Sequence, residues 1–396
     1  MAKEAYNNTL KGMKDVLEDQ ADASMKKAAE EEHIEKGLPS ETLMECKAMF
    51  DGTWRKRGYS SLQGAVTAIS VETGKCVDIE TMNKICASCT FWETQPDNEK
   101  KETWKVNHTC QINYSGSAPA MEQEGVKRIY TRSEESRNLQ YTGYVGDGDS
   151  KSFSAVKAMK PYGQKVIKKF ECVGHVQKRM GSALRKLKSS RGRTKLSDGK
   201  TIGGRGRLTG ELIDKLQVYY GLAIRRNKSS IDDMRKEIWA GLYHVSSTDE
   251  KPQHQYCDET WCKFLQAQRN KEQFKHKKAL AEALFDVVKP IYERLTKEVL
   301  LEGCLGGFTQ NNCESINHLI WARCPKSISS GRDSLDCAAA GAVIVFNGGN
   351  SALTGVLKKA GIEPGYFTSS ALRKIDEKRI RESNIQAYQI QEKKKI

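Results

Sequence analysis

The sequence predicts a mixed α/β fold that is interrupted by a large all-helical segment. Three strand patterns follow one another between residues 43 and 86, each rich in small and β-branched residues and separated by turn signals. Helix and strand patterns alternate from there to residue 175, an order that suits a mixed sheet covered by helices. Between residues 176 and 302 the strand patterns stop and apolar residues recur at helical spacing.

The chain accordingly divides into five predicted parts. Its start is rich in Ala, Glu and Lys and poor in large apolar residues, which predicts a charged helix or frayed arm with little packing, ended by Pro39. With 396 residues, the chain is long enough for two or three domains of ~150 residues. The predicted parts are a charged helical arm (1–42), a first core segment (43–175), a basic helical segment (176–302), a second core segment (303–350) and a helical tail (351–396).

Turn residues set the boundaries within the first core segment. The strand MECKAMFDGTW is expected to run into a turn at the Asp51-Gly52 pair, and a second turn is expected at 72–75, before the strand CVDIETMNKI. A helix over 117–135 precedes the strand YTGYVG, which Asp147 ends. The helix KSFSAVKAM then stops at Pro161, and KVIKKFECVGH is expected to form the last strand.

Proline and capping residues mark the later helices. A kink is expected at Pro290, inside the helical pattern AEALFDVVKPIYERLTKEVLL. In the second core segment, Asn311 or Asn312 can cap a helix that Pro325 ends.

Composition argues against several classes of protein. Hydrophobic residues make up 38% and charged residues 29% of the chain, which is globular composition rather than that of a disordered chain. The longest apolar run (338–346) is too short to span a bilayer, and the first residues contain no apolar stretch of the kind that secretory signals carry. An integral membrane protein and a secreted protein are therefore both disfavoured.

Positive charge is concentrated in one segment. Residues 151–230 hold 21 of the 65 Lys and Arg but only 4 of the 50 Asp and Glu, and the rest of the chain is close to neutral. A polyanion is the natural partner, because each phosphate that is neutralised releases counterions; a solubilising or nuclear-import segment is the alternative.

A loop rich in Gly, Arg and Lys (189–207) lies inside this segment. Its glycines allow the backbone to approach DNA closely, and the alternative is a disordered loop that orders on binding. Trp239 is a further candidate, which either stacks on a base or belongs to the core. The basic candidates for DNA contact are Arg191, Arg193, Lys195, Arg205 and Arg207.

Cysteine placement predicts metal sites. Twelve cysteines without a secretory signal indicate reduced thiols or metal ligands rather than disulfides. One set has the number and kind of ligands of a structural zinc knuckle, although its H-x-C half is tighter than usual: Cys86, Cys89, His108 and Cys110. A second set offers three ligands, His254, Cys257 and Cys262, with His244 or His276 as the fourth. The alternatives are small buried thiols for the first set and a chance cluster in a loop for the second.

Three acidic residues lie where a metal-dependent phosphodiester reaction would need them. Asp51 ends the first predicted strand, Asp147 ends the fourth, and Glu314 lies on a later helix. Carboxylates from strand ends and a nearby helix can hold two Mg²⁺ ions, which activate the attacking oxygen and stabilise the leaving one. Taken alone, each has a structural explanation, since Asp-Gly is a common turn and acidic residues are common in first helical turns. On its helix, Glu314 shares a face with Asn317, His318 and Trp321.

Six sequence blocks occur in order between about Met44 and about Asn347. They are FDGTWRKRGYSS, YVGDGDSKSF, FECVGHVQKR, KLSDGK, YYGLAIRR and TQNNCESINHLIWARCPK. Together they resemble a Mutator-like transposase domain, of the kind found in animal transposable elements. The resemblance implies an RNase H-like catalytic core with a D-D-E triad and a helical insertion before the glutamate. It assigns the triad to Asp51, Asp147 and Glu314, with Asp149 as a rival for the second position.

The same family carries a C-x-x-H element after the strand that follows the second aspartate, here Cys172 and His175. Two ligands cannot fill the four positions of zinc. A local role, holding the strand end near the metal site, is therefore expected, with a direct DNA contact as the alternative.

The resemblance implies a nuclear DNA transposase that uses two Mg²⁺ or Mn²⁺ ions. Water would cut the element end, and the freed 3′-hydroxyl would attack target DNA. The expected partners are transposon ends and target DNA, with a homodimer on paired ends and no membrane.

Two alternatives remain open: a domesticated or decayed copy that only binds DNA or chromatin, and a nuclease that hydrolyses without joining strands. The three acidic residues and the C-x-x-H element argue against a decayed copy. No zinc-finger-like module is visible before Asp51, which argues for a decayed copy. Sequence-specific binding of element ends would in that case be missing or be supplied by another chain.

Overall fold

A computed structural model describes residues 2–56, 60–147, 151–276 and 279–395. These residues contain a five-stranded mixed sheet in the order β3-β2-β1-β4-β5. The mixed α/β class predicted from the sequence is therefore confirmed. The strands are β1 (Met44–Trp54), β2 (Gln63–Ser70), β3 (Cys76–Asn83), β4 (Leu139–Gly146) and β5 (Lys168–Glu171).

Helices account for most of the remaining described residues. In chain order they are α1 (Ala2–Glu35), α2 (Ala87–Glu93), α3 (Glu99–Asn107), α4 (Met121–Arg137), α5 (Lys151–Met159), α6 (Val173–Ser190), α7 (Gly210–Arg226), α8 (Ile231–Ser246), α9 (Lys263–Asn270), α10 (Glu282–Leu295), α11 (Glu298–Gly303), α12 (Asn311–Arg323), α13 (Arg332–Gly348), α14 (Leu353–Lys359) and α15 (Tyr366–Lys395).

The chain forms two compact units. Unit 1 comprises Met1–Tyr144, Lys151–Lys168 and Asn311–Ile396, and unit 2 comprises Val145–Ser150 and Lys169–Gln310. This division into two units does not test the five parts predicted from the sequence, which stay a prediction.

Unit 1 contains the predicted meander of three strands. β1 pairs antiparallel with β2, with Asp51 opposite Thr67, and β2 pairs antiparallel with β3. The expected turn at 72–75 is present, with Gly74 at a φ of 68°, a left-handed conformation that favours glycine. The expected turn at Asp51 is wrong, because Asp51 and Gly52 continue β1 and pair with β2.

The two faces of the sheet of unit 1 carry different kinds of side chain around Asp51, aromatic on one face and polar on the other. Phe50 of β1 stacks on Tyr130 of α4 and on Tyr144 of β4, with ring centroids 5.2 and 5.0 Å apart. Successive side chains of a strand point to opposite faces. Asp51, the next residue, therefore points away from this aromatic cluster, towards α12, which contacts β1 and β2.

The first helix packs against the rest of unit 1. α1 contacts α13 and β3, and both Ala28 and Ala29 are buried. The ring nitrogens of His33 lie 2.8 Å from the carbonyl oxygens of Ala29 and Thr42. The expectation of a poorly packed arm is therefore wrong. Small alanines let the helix approach its neighbours closely without the large apolar residues that the sequence lacks.

The long apolar run of the sequence lies in α13 and is buried in the protein, from Ala338 to Val345. Within the described residues, no helix alone has the length and hydropathy needed to cross a bilayer. Only the bent pair formed by α13 and residues 350–359 passes that test, and only when its two helices are taken together.

Unit 2 is built from helices around its own apolar core. Val176 of α6, Leu216 of α7, Ile238 of α8 and Leu284 of α10 are among its fully buried side chains. The end of the basic loop 189–207 packs against this core. Lys195 and Thr201 form an antiparallel bridge, and both Ile202 and Leu208 are fully buried.

Two sequence-based expectations about unit 2 need correction. The strand expected over 165–175 ends at Glu171, and Val173 already begins α6. The helical pattern over 281–301 forms two helices, since α10 ends at Leu295 and α11 begins at Glu298. α10 continues through Pro290, and the kink expected there stays a prediction.

One carboxylate ties α15 to the rest of unit 1. Asp376 accepts hydrogen bonds from the backbone N–H groups of Asn350 and Ser351 at 2.7 and 2.8 Å, and from both of their side chains. Asn350 begins the short 3₁₀ turn before α14, so Asp376 caps that turn from another helix. Burial acts to raise the pKa of Asp376, but these hydrogen bonds outweigh burial and hold the pKa at about 2.

Asp376→Ala should lower the free energy of unfolding by about 1 kcal/mol at pH 7, as loss of a helix cap does. A carboxyl group with a lowered folded-state pKa stabilises only while it is ionised. The difference from wild type should therefore shrink as the pH falls from about 4 towards 2, which urea unfolding at several pH values measures. Glu377→Ala removes only an exposed ion pair with Arg373 and should cost less than about 0.5 kcal/mol. Equal losses in the two variants would contradict the capping role.

Candidate active site and metal centres

Asp51 is held by the helix that carries Glu314. Nδ2 of Asn317 on α12 donates a hydrogen bond to Oδ2 of Asp51 at 2.7 Å. One turn further along α12, Nε1 of Trp321 donates to Oγ1 of Thr53 at 2.7 Å. Residues 51 and 53 lie on one face of the strand, and residues 317 and 321 lie on one face of the helix. The two bonds therefore fix the register of α12 on β1.

A third residue of the same chain segment anchors the end of α12. Arg55 follows β1, and its side chain is 9% exposed. Its guanidinium donates to the carbonyl oxygen of Pro325 at 3.2 Å and to Sγ of Cys324 at 3.0 Å, and it also contacts Ser330. The guanidinium carbon lies 5.7 Å from the ring centroid of Trp321. Both terminal nitrogens of Arg55 are hydrogen-bonded, whereas its buried Nε has no partner among the described residues.

Glu314 lies in the first turn of α12 and is exposed, as is His318. The predicted helix over this region is confirmed, but Asn311 and Asn312 belong to its first turn and do not precede it. Nδ2 of Asn312 donates instead to the carbonyl oxygen of Gly74 at 3.1 Å, in the turn between β2 and β3. Unit 1 thus holds both ends of the helix that carries Glu314.

Asp147 directly follows β4 and belongs to unit 2. Its carboxylate lies 3.0 Å from Nδ1 of His175 and 3.3 Å from a guanidinium nitrogen of Arg179, both on α6. Arg179 also pairs with Glu171 at 2.8 Å. Asp149, the rival for the second catalytic position, lies outside the described residues.

The C-x-x-H element lies at the junction between β5 and α6. Cys172 is buried, and its backbone N–H donates to the carbonyl oxygen of Gly146 at 3.3 Å. Gly146 immediately precedes Asp147, and His175 contacts the Asp147 carboxylate. Both ends of the element therefore contact the chain around Asp147, at the end of β4.

The first Cys/His set assembles around His108 in unit 1. Nε2 of His108 lies 3.4 Å from Sγ of Cys86 and 3.2 Å from Sγ of Cys89, and the Sγ atoms of Cys89 and Cys110 are 3.6 Å apart. The ligand atoms of a tetrahedral zinc site are roughly 3.3–3.8 Å apart when Zn–S is ~2.3 Å and Zn–N is ~2.0–2.1 Å. The set therefore has the spacing of a structural zinc site.

Groups around the first Cys/His set affect the pKa of its thiols and hold the ring of His108. Burial acts to raise the pKa of Cys86, but hydrogen bonds from nearby backbone N–H groups outweigh burial and lower it, which favours the thiolate that zinc binds. Burial and the adjacent thiols raise the pKa of Cys89 to about 12, as expected for thiols crowded together without a cation. Trp104 stacks on His108 with ring centroids 4.6 Å apart.

The second Cys/His set, in unit 2, takes its fourth ligand from α8. His244, His254, Cys257 and Cys262 offer ligand atoms that all lie within 4.8 Å of one another. Sγ of Cys262 lies 3.4 Å from Nδ1 of His254 and 3.9 Å from Nδ1 of His244. Of the two histidines considered as the fourth ligand, His244 is the one that joins the set.

His276 lies behind this set. Its Nε2 is 2.9 Å from Nε2 of His254, and its Nδ1 is 2.7 Å from a carboxylate oxygen of Asp249. Burial, together with the neighbouring His244 and His276, lowers the pKa of His254 to about 4. His254 is therefore neutral near pH 7, the form that binds zinc, and His276 with Asp249 orients its ring from the far side.

The basic residues of the loop that are predicted to contact DNA fall into two groups, exposed and buried. Arg191, Arg193, Lys195 and Arg205 are exposed. Arg207 is buried, pairs with Asp198 and donates to the carbonyl oxygen of Thr201 at 2.9 Å. Arg207 thus holds the fold of the loop, and the exposed group is available to an anion.

Trp239 is half-buried on α8. Its ring centroid lies 5.7 Å from that of Tyr292 and 6.1 Å from that of Tyr243. It lines an open cavity of about 360 Å³ together with two tyrosines, three basic residues and two acidic residues: Tyr243, Tyr256, Arg235, Lys236, Lys289, Asp232 and Glu293. The ring thus contributes both to the packing of unit 2 and to a surface with aromatic, basic and acidic side chains.

Sequence reasoning missed two contacts to the candidate catalytic acids. Helical spacing predicts that Asn317 shares a face with Glu314, but its bond to Asp51 depends on how α12 packs on β1. Arg179 follows His175 by four residues, a spacing that puts both on one face of α6 once that segment is known to be helical.

These observations describe a mixed α/β protein with acidic residues on its sheet and two Cys/His sets suited to zinc. The model of the Mutator-like transposase family matches residues 1–262 of the 396. The chain belongs to this family. Asp51 and Asp147 lie within the matched residues, whereas Glu314 lies beyond them. No curated protein and no solved structure matches the chain.

Both Cys/His sets should bind zinc, giving two ions per chain. Cys86→Ser and Cys257→Ser should each lower bound zinc to one ion per chain, because each removes one of four ligands. Metal analysis by mass spectrometry of the purified chain measures this.

Cys337→Ser is the matched control for the zinc measurement, since that half-buried thiol lies outside both sets and its loss should leave two ions bound. Chelation should lower the melting temperature of wild type more than that of either zinc-site variant. A well-folded wild-type chain that carries no zinc would contradict both sites.

Proposed function

We propose that the protein is the catalytic domain of a DNA transposase with an RNase H-like core, in which Asp51, Asp147 and Glu314 form a D-D-E site. The contact between Asn317 and Asp51 carries the proposal, because it keeps the first acid against the helix of the third. Membership of the Mutator-like transposase family supports the activity.

The proposed donor set consists of carboxylate oxygens, which Mg²⁺ and Mn²⁺ prefer. Two such ions, when bound, activate the attacking oxygen and stabilise the leaving one in an in-line displacement. Asn317 orients Asp51, while His175 and Arg179 orient Asp147. The exposure of Glu314 leaves it accessible to an ion and to DNA.

The same site would carry out two phosphodiester transfers. In the first, a water oxygen bonds to phosphorus at the element end and the 3′-oxygen leaves. In the second, that 3′-hydroxyl attacks a phosphodiester of target DNA, and a target 3′-oxygen leaves. We propose the nucleus as the compartment, because the substrate is chromosomal DNA, and a homodimer as the acting form, because two element ends must be cut.

The exposed basic residues of the loop 189–207 would hold DNA through its phosphates, without reading sequence. Trp239 would stack on an unpaired base at the cavity of unit 2 that it lines with two tyrosines. Arg207 is left out of this role because it is buried and paired with Asp198.

Asp51→Asn and Glu314→Gln should each reduce strand cleavage and strand transfer at least about 100-fold, because loss of a carboxylate weakens the proposed cation site. The assay uses DNA bearing the element's terminal repeats with Mg²⁺ or Mn²⁺. His318→Gln, on the same exposed helix face, is the matched control and should retain activity.

Equal activity in wild type and in the carboxylate variants would refute the catalytic assignment. Cutting without joining would identify a nuclease. Salt-sensitive DNA binding without any cutting would identify a non-catalytic DNA-binding protein.

Replacing Arg191, Arg193, Lys195 and Arg205 together by Ala should weaken duplex binding and flatten its salt dependence. Each lost phosphate contact reduces the slope of log K against log salt by about 0.9, so a total reduction of about 3–4 is expected. Fluorescence anisotropy at several salt concentrations measures the slope. A variant with Arg373, Lys374 and Arg379 of α15 replaced by Ala removes exposed cations elsewhere and should keep the wild-type slope. Identical slopes in all three proteins would exclude the loop from the interface.

A further inference from the structure

Asn317 is the polar group through which α12 contacts Asp51. We propose that Asn317 is a positioning residue of the site, whose side-chain amide orients the Asp51 carboxylate and one water of a divalent cation. This inference rests on the proposed function, because it requires that Asp51 bind a cation.

The donor half of the amide acts on Asp51 directly. Nδ2 of Asn317 lies 2.7 Å from Oδ2 of Asp51, a short hydrogen bond to a carboxylate. A carboxylate with one oxygen held in this way cannot rotate freely about its last bond. The bond therefore selects one orientation of Asp51 before a cation arrives.

The acceptor half of the amide has no protein partner. Oδ1 of Asn317 is buried and forms no hydrogen bond within the described residues. The hydroxyl of Thr67, which is opposite Asp51 on β2, is likewise buried and without a partner. Buried polar atoms without partners are rare and mark places for an ordered water or ion. Mg²⁺ keeps several waters when it binds to proteins, and such a water can donate to Oδ1.

The backbone that carries Asn317 is fixed by other contacts. Trp321 donates to Thr53 from the next turn of α12, and Arg55 anchors the residues that follow the helix. Nζ of Lys326 lies 4.9 Å from the ring centroid of Trp321. These contacts hold the helix in place without touching Asp51. Replacing Trp321 therefore separates a loss of packing from a loss of positioning.

The test measures Mn²⁺ affinity of the full, zinc-loaded chain by electron paramagnetic resonance, together with its melting temperature. Asn317→Ala should weaken Mn²⁺ binding by about 10–100-fold, the usual effect of losing a residue that orients a metal ligand. Asn317→Ser, whose hydroxyl is too short to reach Asp51, should behave in the same way and provides a second variant if the first folds poorly. Trp321→Phe removes the bond to Thr53 but keeps the bond from Asn317 to Asp51, so it should lower the melting temperature and weaken Mn²⁺ binding less than Asn317→Ala does.

Strand cleavage gives a second readout. Higher Mn²⁺ concentrations should restore much of the cleavage lost in Asn317→Ala, because the cation ligands remain, whereas Asp51→Asn should not be restored. Wild-type Mn²⁺ affinity in both Asn317 variants, with Asp51→Asn impaired, would overturn the positioning role and leave the proposed function intact. Equal weakening in Trp321→Phe would also overturn it, by showing that packing alone matters. Wild-type affinity in Asp51→Asn would instead refute the proposed function.

Discussion

The register of α12 on β1 is the constraint on which the candidate site depends. Side chains on a strand alternate between faces, so Phe50 enters the aromatic core while Asp51 meets the helix. The bonds from Asn317 and Trp321 match positions two apart on the strand to positions four apart on the helix. A shift of one residue along β1 would replace Asp51 with an apolar or glycine neighbour under Asn317. The carboxylate is thus placed by the same contacts that build unit 1.

Bound zinc would stabilise parts of the chain that have little apolar packing of their own. α2 and α3 bury none of their own side chains, so their packing offers little stabilisation. The first Cys/His set joins the start of α2 to the residues that follow α3, and a bound ion would supply the missing free energy. In unit 2, the second set connects α8 with the irregular segment before α9. Both sets lie where helices are short or loops are long.

The concentrated positive charge has more than one role. Arg207 is buried and neutralised by Asp198, and Arg179 pairs with Glu171 and Asp147. Arg191, Arg193, Lys195 and Arg205 of the same segment are exposed, and the excess of cations over acids there favours a polyanionic partner. A count of charges locates the segment, but burial and pairing decide which of its residues can meet DNA.

Local patterns in the sequence were sufficient for the mixed α/β class, for the three-stranded meander and for the two cysteine sets. The choice of the three acidic residues depended on the resemblance to a family and stays a prediction. Strand alternation, helical spacing and short ligand spacing depend on neighbours in the chain, and the chain itself displays them. Tertiary contacts decided the features that these patterns did not predict. β1 continues through Asp51, and α6 begins at Val173. His244 rather than His276 joins the second Cys/His set, and Arg207 is buried. Each of these outcomes depends on groups far apart in sequence, which only the folded chain brings within hydrogen-bonding distance.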